Sequence, residues 1–457
     1  MDVLKRLSRF LAGADLPEQQ RDGGREIRLA GLIVLVGTLT AAVFHLAVHL
    51  TTGKGYPYDT FLFDPRGTSN DFNSVYHMAL VYGPPHTTDT VYSTPLHLLM
   101  TYATALPDVV VWMIFNAVFL ATLVAVVWYG VTRRVGGRRL RQAYTAIFVA
   151  LSYPVLFALQ LGNLEMLMFV LLAAFAYLHY ERKSRWSWVP LALAIAGKYY
   201  VAVLLVLYVR ERRWKELAYT VTGAMAVTVL SAIVLAAHSG FTVPQVLGNT
   251  RTTLDGFGAY ATNMGAVQHG HSLWGFFRLL NMYSNYVVTG PNLSFCYLLL
   301  CLAIFAWVSV RVITTDLAPW KCFTALLVAG LCLPIQSHDY TLVHILLPLA
   351  LIGAYGADSR HGRRAAILLG LLLIPADYRV LIFDVTSSAI VYLLVCIALI
   401  VTCVTPDAAP QIVEARGDAF GTRRFAFRRN RGRAVSADDA TISVASTRAT
   451  DTGGERP

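Results

Sequence analysis

Apolar runs near residues 29–50, 109–129, 219–237, 295–312 and 385–404 decide which solvent this chain can fold in. Each is long enough to cross a hydrocarbon core of roughly 30 Å at about 1.5 Å per residue. In lipid the backbone must satisfy its own hydrogen bonds, so such runs are helices. Of the 457 residues 56% are hydrophobic and 14% charged, whereas soluble domains carry about a quarter charged residues. The expected fold class is an all-α polytopic membrane protein with about twelve transmembrane helices.

A net charge of +11 invites a nucleic-acid reading, and the location of the basic residues argues against it. They lie in loops between apolar runs: Arg133, Arg134, Arg138, Arg139 and Arg141, then Arg182, Lys183 and Arg185, then Arg210, Arg212, Arg213 and Lys215, then Arg360, Arg363 and Arg364. Short basic loops mark the cytoplasmic side. If the amino terminus, with Lys5, Arg6, Arg9, Arg21, Arg25 and Arg28, is also cytoplasmic, about twelve crossings place every basic loop on one face. The first run is too long for a signal-peptide core and is expected to remain as a spanning helix. Residues 1–28 then form a cytoplasmic segment, 29–404 the membrane domain and 405–457 a basic cytoplasmic tail. That tail is rich in Pro, Ala, Arg, Ser, Thr and Asp and is expected to be disordered, solvated or touching anionic lipid.

The stretch 186–208 carries Gly197 and Lys198 at its middle. Two short helices dipping in from the cytoplasm and back fit the charge pattern; a single span with a buried lysine would put Arg210–Lys215 outside, against the positive-inside bias.

On this topology five polar clusters share the non-cytoplasmic face: Asn70 and Asp71 with Tyr76 and His77; Gln160 with Asn163 and Glu165; Lys198 with Tyr199 and Tyr200; His269 with His271 and Arg278; and Gln336 with His338, Asp339 and His344. Ionisable groups at membrane depth are costly and usually functional. Asp71 suits a general base towards a sugar hydroxyl, and equally an amino-terminal helix cap. Lys198 suits the phosphate of a lipid-linked donor, or a snorkelling helix end. Arg278 can share that phosphate bidentately or be a plain interfacial arginine. The 333–340 segment reads as a polar hairpin that either hydrogen-bonds sugar hydroxyls or caps a helix break. His269 and His271 flank Gly270, as in a loop lining a cleft. Metal ligation is not supported, because no zinc-type spacing is present and the six cysteines all sit in apolar stretches as packing residues. No cofactor is expected.

The motifs run in order: Asp71 and Tyr76, Tyr92-x-x-Pro95-Leu96, Gln160-x-Gly162-Asn163, Gly197-Lys198 ahead of Arg212-Arg213-Trp214, His271-Ser272-Leu273 with Arg278, and Pro334-Ile335-x-x-His338-Asp339. In this the chain resembles the GT-C glycosyltransferases that use polyprenyl-phosphate sugars, in particular the family of actinobacterial mannosyl- and arabinofuranosyltransferases of lipoglycan assembly. The resemblance implies catalytic external loops, Asp71 as base and Lys198 with Arg278 on the donor phosphate. It also implies substrate contacts from Tyr76, His77, Tyr92, Gln160, Asn163, Glu165, His269, His271, His338 and Asp339. The partners implied are a polyprenyl-phosphate sugar, a glycolipid or glycan acceptor and membrane lipids, at an extracytoplasmic active site in the cell membrane. A transporter or flippase of a lipid-linked sugar is the alternative; it needs polar groups reachable from both faces, whereas these clusters are one-sided.

Overall fold

The computed structural model describes residues 24–56, 58–62, 64, 67–82, 93–248, 270–283, 291–335, 337–355, 360–380, 385–386 and 388–406. Tyr92, His269, Gln336, most of the amino-terminal segment and the basic tail lie outside them. Helix α1 (Arg25–Thr52) is 28 residues long, about 42 Å at the helical rise. It stops at Gly53, whose φ of 65° is the left-handed conformation that glycine adopts without a Cβ clash. Within the polar loop 51–107 two shorter helices form, α2 (Asn70–Tyr82) and α3 (Thr94–Ala103), ahead of α4 (Asp108–Tyr129). The chain then continues through α5 (Arg138–Ala150), α6 (Tyr153–Leu161) and α7 (Glu165–Ala176).

α5 and α6 meet at 49°. Pro154 explains the bend: it cannot donate to the turn before it and its ring crowds that turn's carbonyl. The freed groups are satisfied from elsewhere. Thr38 donates to the Leu151 carbonyl at 2.8 Å, Ser152 Oγ donates to Phe148 at 2.6 Å, and Tyr153 N–H reaches Leu373 at 2.9 Å.

Next come α8 (Trp188–Gly197), a 3-10 segment Tyr199–Leu204 and α9 (Leu205–Arg210). Continued as one straight helix, residues 187 and 208 would stand about 30 Å apart. Instead Ser187 Oγ and Tyr208 Oη lie 3.0 Å apart, so the stretch folds back on itself with Lys198 between its arms. Lys198 has extended backbone, φ −143° and ψ 110°, which breaks the helix at the point the sequence singled out.

The remaining helices are α10 (Trp214–Ser239), α11 (Leu273–Tyr283), α12 (Pro291–Thr314), α13 (Pro319–Cys332), α14 (Leu346–Tyr355), α15 (Arg360–Leu371) and α16 (Ser388–Val404). A two-residue ladder pairs Arg379 with Thr386 and Val380 with Val385 just before α16.

Among the described residues four helices are long and apolar enough to cross a membrane: α1, α4 with its continuation to Arg134, α10, and residues 295–314 of α12. The bent α5–α6 pair makes a fifth. Only 17–33% of each of the four apolar windows is buried in the protein, which leaves side chains such as Leu39, Val43, Met113 and Leu230 facing outward, where lipid suits them. The other apolar runs, counted as crossings in the expected twelve, form shorter helices of 10–17 residues. In α13 every residue from Trp320 to Cys332 is buried, and short or broken helices are tolerated at membrane depth where protein covers them.

The basic loops converge at one end of this bundle. Arg134 donates to Ala354 at 3.2 Å, Arg133 pairs with Glu181 at 3.3 Å, and Arg213 donates to Ser184 at 3.1 Å. Arg210 caps Thr315 and Leu317 at 2.7 and 2.9 Å, Arg311 reaches Val404 at 3.1 Å, and Lys321 reaches Thr405 at 3.0 Å. α1 begins at this end, and its far end carries the segment that leads to Asp71.

Candidate active site

Gly162 closes α6 with φ of 64°, and a Cβ there would come within 2.8 Å of Phe72 Cβ. This close approach seats the start of α2 on the turn between α6 and α7. Ser69 N–H donates to the Gln160 carbonyl at 2.6 Å, and Asn163 Nδ2 donates to Asp71 Oδ2 at 2.5 Å. The other end of the Asn163 amide accepts the Glu165 N–H at 2.9 Å, an Asx-type turn that starts α7. Asp71 therefore spends its carboxylate on a partner 92 residues away rather than on capping its own helix. Burial lifts the Asp71 pKa above the ordinary aspartate value, against the Asn163 hydrogen bond and the charge of Lys198, which pull it down.

Two residues beyond Asn163, Glu165 collects three partners. Lys198 Nζ lies 3.4 Å from Oε1, and Tyr200 donates to Oε2 at 2.8 Å. His344 Nε2 sits 3.0 Å from the same Oε2 and 3.1 Å from the Tyr200 hydroxyl. The Glu165 side chain is 2% exposed and that of Lys198 21%. The ammonium is thus anchored on a buried carboxylate while its side chain stays partly exposed.

A second network holds the polar hairpin. Gly270 pairs with His338 in an antiparallel bridge, and His271 N–H donates to Ser337 at 2.9 Å. The His271 ring spans Asp339, with Nδ1 3.2 Å from Oδ1, and Ser337, with Nε2 3.1 Å from Oγ. Tyr153 adds a bond to Asp339 Oδ2 at 3.4 Å, and Ser272 Oγ donates to Ile335 at 3.1 Å. Burial pushes the His271 pKa down to about 3, so its imidazole is neutral at ordinary pH. The 3-10 segment Asp339–Ile345 carries Asp339 into this network and His344 into the first, which makes the two neighbours.

The sequence-selected residues divide by access. Asp71, Gln160, Lys198 and His338 are partly open and His77 is exposed, so solvent can reach them. Asn163, Glu165, His271 and Asp339 were expected as direct substrate contacts; all four are enclosed and have their hydrogen bonds filled from within. Tyr76 is likewise buried, stacked on Phe72, its hydroxyl donating to Leu106 at 2.5 Å. Arg278 is half-buried on α11, which packs against α16. Tyr92 and His269 fall outside the described residues. No group of three or more His, Cys, Asp or Glu able to hold a metal occurs among the described residues. Tyr153 went unselected by sequence reading; its only signal was the Ser152-Tyr153-Pro154 interruption of an apolar run.

Comparison with curated proteins and with solved structures finds no match to this chain. A family model does match, over a region that contains Gln160, Asn163, Glu165, Lys198, His271 and Arg278 and leaves Asp71 and Asp339 outside. Apolar helices of membrane-spanning length fit a membrane glycosyltransferase. With more than half of its length matched, residues 82–335 of 457, the chain belongs to glycosyltransferase family 87.

Proposed function

We propose that this GT-C-type membrane glycosyltransferase moves a sugar, mannose or arabinofuranose, from a polyprenyl-phosphate donor to a glycolipid or glycan acceptor on the extracytoplasmic face of the cell membrane. The observation that carries the reading is the Asn163–Glu165 turn, which holds a proton acceptor on one side, Asp71, and a cation on the other, Lys198. Direct displacement needs both. The acceptor hydroxyl oxygen bonds to the anomeric carbon as its proton passes to Asp71, and the bond from that carbon to the phosphate oxygen breaks. The electron pair leaves on the lipid phosphate, whose charge Lys198 and Arg278 steady. Attack opposite the leaving group inverts the anomeric centre.

Around that step, His77, Gln160 and His338 bind sugar hydroxyls, with Tyr92 and His269 assigned to the same task. Tyr76, Asn163, Glu165, His271 and Asp339 shape the site from behind. We retain the expectation of about twelve crossings, with residues 29–404 as the transferase domain and 405–457 as a cytoplasmic tail, a reading supported by the gathering of Arg133, Arg134, Arg210, Arg213, Arg311 and Lys321 at one end of the bundle. The test is an assay of membranes with radiolabelled polyprenyl-phosphate mannose or arabinofuranose, following transfer of label to a larger glycolipid or glycan. An Asp71→Asn protein that is present in membranes and still transfers sugar would overturn the assignment.

A further inference from the structure

At the basic end of the bundle, opposite the Asp71–Lys198 centre, a groove of about 810 Å³ runs between α4, α7 and α14. This is within the roughly 300–1,000 Å³ of ordinary ligand sites. It exists because the facing residues are small: Ala125, Ala173, Ala174, Ala350 and Ala354 leave a gap that leucines would close. The helices still approach closely beneath it, where a Cβ on Gly353 would come within 2.3 Å of the Gly130 carbonyl. The walls are therefore apolar and fixed by backbone packing.

The mouth has different chemistry. Arg133 and Arg141 line it, together with Tyr129 and Tyr177, both well exposed, as aromatic residues are at a membrane–water boundary. Arg141 stacks on Trp128, 4.4 Å from guanidinium to ring, and donates to its carbonyl. Its Nε is buried and has no hydrogen-bond partner among the described residues. Arg133 is paired with Glu181, the one acidic group lining the groove among the described residues, and keeps half of its side chain exposed. Arg134 follows in the same turn, and Arg138 and Arg139 open α5.

An apolar slot under a cationic, aromatic rim matches a lipid with an anionic head. We propose that this groove is a binding site for an anionic phospholipid, one acyl chain lying along the alanines and the phosphodiester held by Arg133 and Arg141. Neither arginine belongs to the transfer site, and the proposal holds whatever sugar the enzyme moves.

The test uses the full-length protein in detergent, titrated with dioleoyl-phosphatidylglycerol, dioleoyl-phosphatidylcholine or inorganic phosphate. Bound lipid is counted by native mass spectrometry and thermal stabilisation is followed in parallel. Phosphatidylglycerol should bind and raise the melting temperature; phosphatidylcholine and free phosphate should not match it. Ala174→Phe fills the slot and Arg133→Gln removes a phosphate partner. Each should weaken phosphatidylglycerol retention roughly tenfold, the loss of one charge-assisted contact or of chain burial. The untitrated melting temperature of each variant shows that it is folded. Equal retention of both lipids, stabilisation by phosphate alone, or undiminished binding to a folded Ala174→Phe protein would each overturn the proposal. So would a dimer that Ala174→Phe dissolves, because the groove would then belong to a second copy of the chain.

Discussion

The Lys198 ammonium stands 3.4 Å from the Glu165 carboxylate, across the hairpin that interrupts α8 and α9. The same carboxylate also takes Tyr200 and His344, so one buried anion fixes the cation, the hairpin and the end of the Asp339–Ile345 segment together. Removing a partner from such a buried cluster leaves an uncompensated group. Glu165→Gln is expected to destabilise the protein by about 3–5 kcal/mol and to raise the donor KM more than the acceptor KM, read from the melting temperature in detergent and from donor and acceptor titrations of transfer.

Asp71→Asn should lower kcat by about 10²–10⁴, the range for losing a positioned general base. Its melting temperature should stay near that of the parent, because an amide can still accept from Asn163. Lys198→Gln should cost about 10²–10³ in transfer, comparable with deletion of one charge-stabilising group. Side-by-side rates on washed membranes check both.

The pH profile follows from the direction of the Asp71 shift. A base works only when ionised, and burial raises the pKa of this one. Activity is therefore expected to fall on the acid side at a higher pH than an ordinary aspartate would give, with the loss progressing as pH drops through the raised pKa. Asn163 opposes the shift by donating to the carboxylate, so Asn163→Ala should move this acid limb to still higher pH. A kcat/KM profile of parent and variant measures the displacement; an unmoved limb assigns the titration to another group.

Gly162→Ala is expected to be disproportionately harmful. The position has φ of 64°, and the new methyl would press on Phe72 from 2.8 Å. Left-handed backbone costs a residue with a Cβ roughly 1–2 kcal/mol, and relief of the clash must push α2 away from Asn163. The measurable result is a lower melting temperature together with reduced kcat. Gly53→Ala, at a left-handed position with φ of 65° and nothing within 4 Å, should show the backbone cost without the loss of turnover.

The membrane class, the long helices and the break at Lys198 were legible in the sequence because each rests on local properties: hydropathy, helix length, and a charged residue where apolar side chains are otherwise continuous. The polar clusters were legible as candidates for the same reason. What they touch was not. Glu165 and His344 are 179 residues apart, and no periodicity joins them; the Glu165 carboxylate read as a sugar ligand until its burial gave it other partners. Tyr153 stayed hidden because a tyrosine in an apolar run looks like core, and only the Pro154 bend turns its hydroxyl towards Asp339. The number of spans was also beyond sequence, since an apolar run buried in protein and one facing lipid have the same composition.

The cations that mark one end of the bundle do more than carry charge. Arg210 closes the end of α12 by holding the carbonyls of Thr315 and Leu317, while Arg311 and Lys321 hold those of Val404 and Thr405 at the end of α16. Helix ends expose carbonyls that need such donors. The groups to which the positive-inside bias would assign orientation are consequently the clasps of the finished fold. Charge reversal aimed at turning a segment over would unfasten its neighbours as well, so orientation and cohesion cannot be edited independently in this chain.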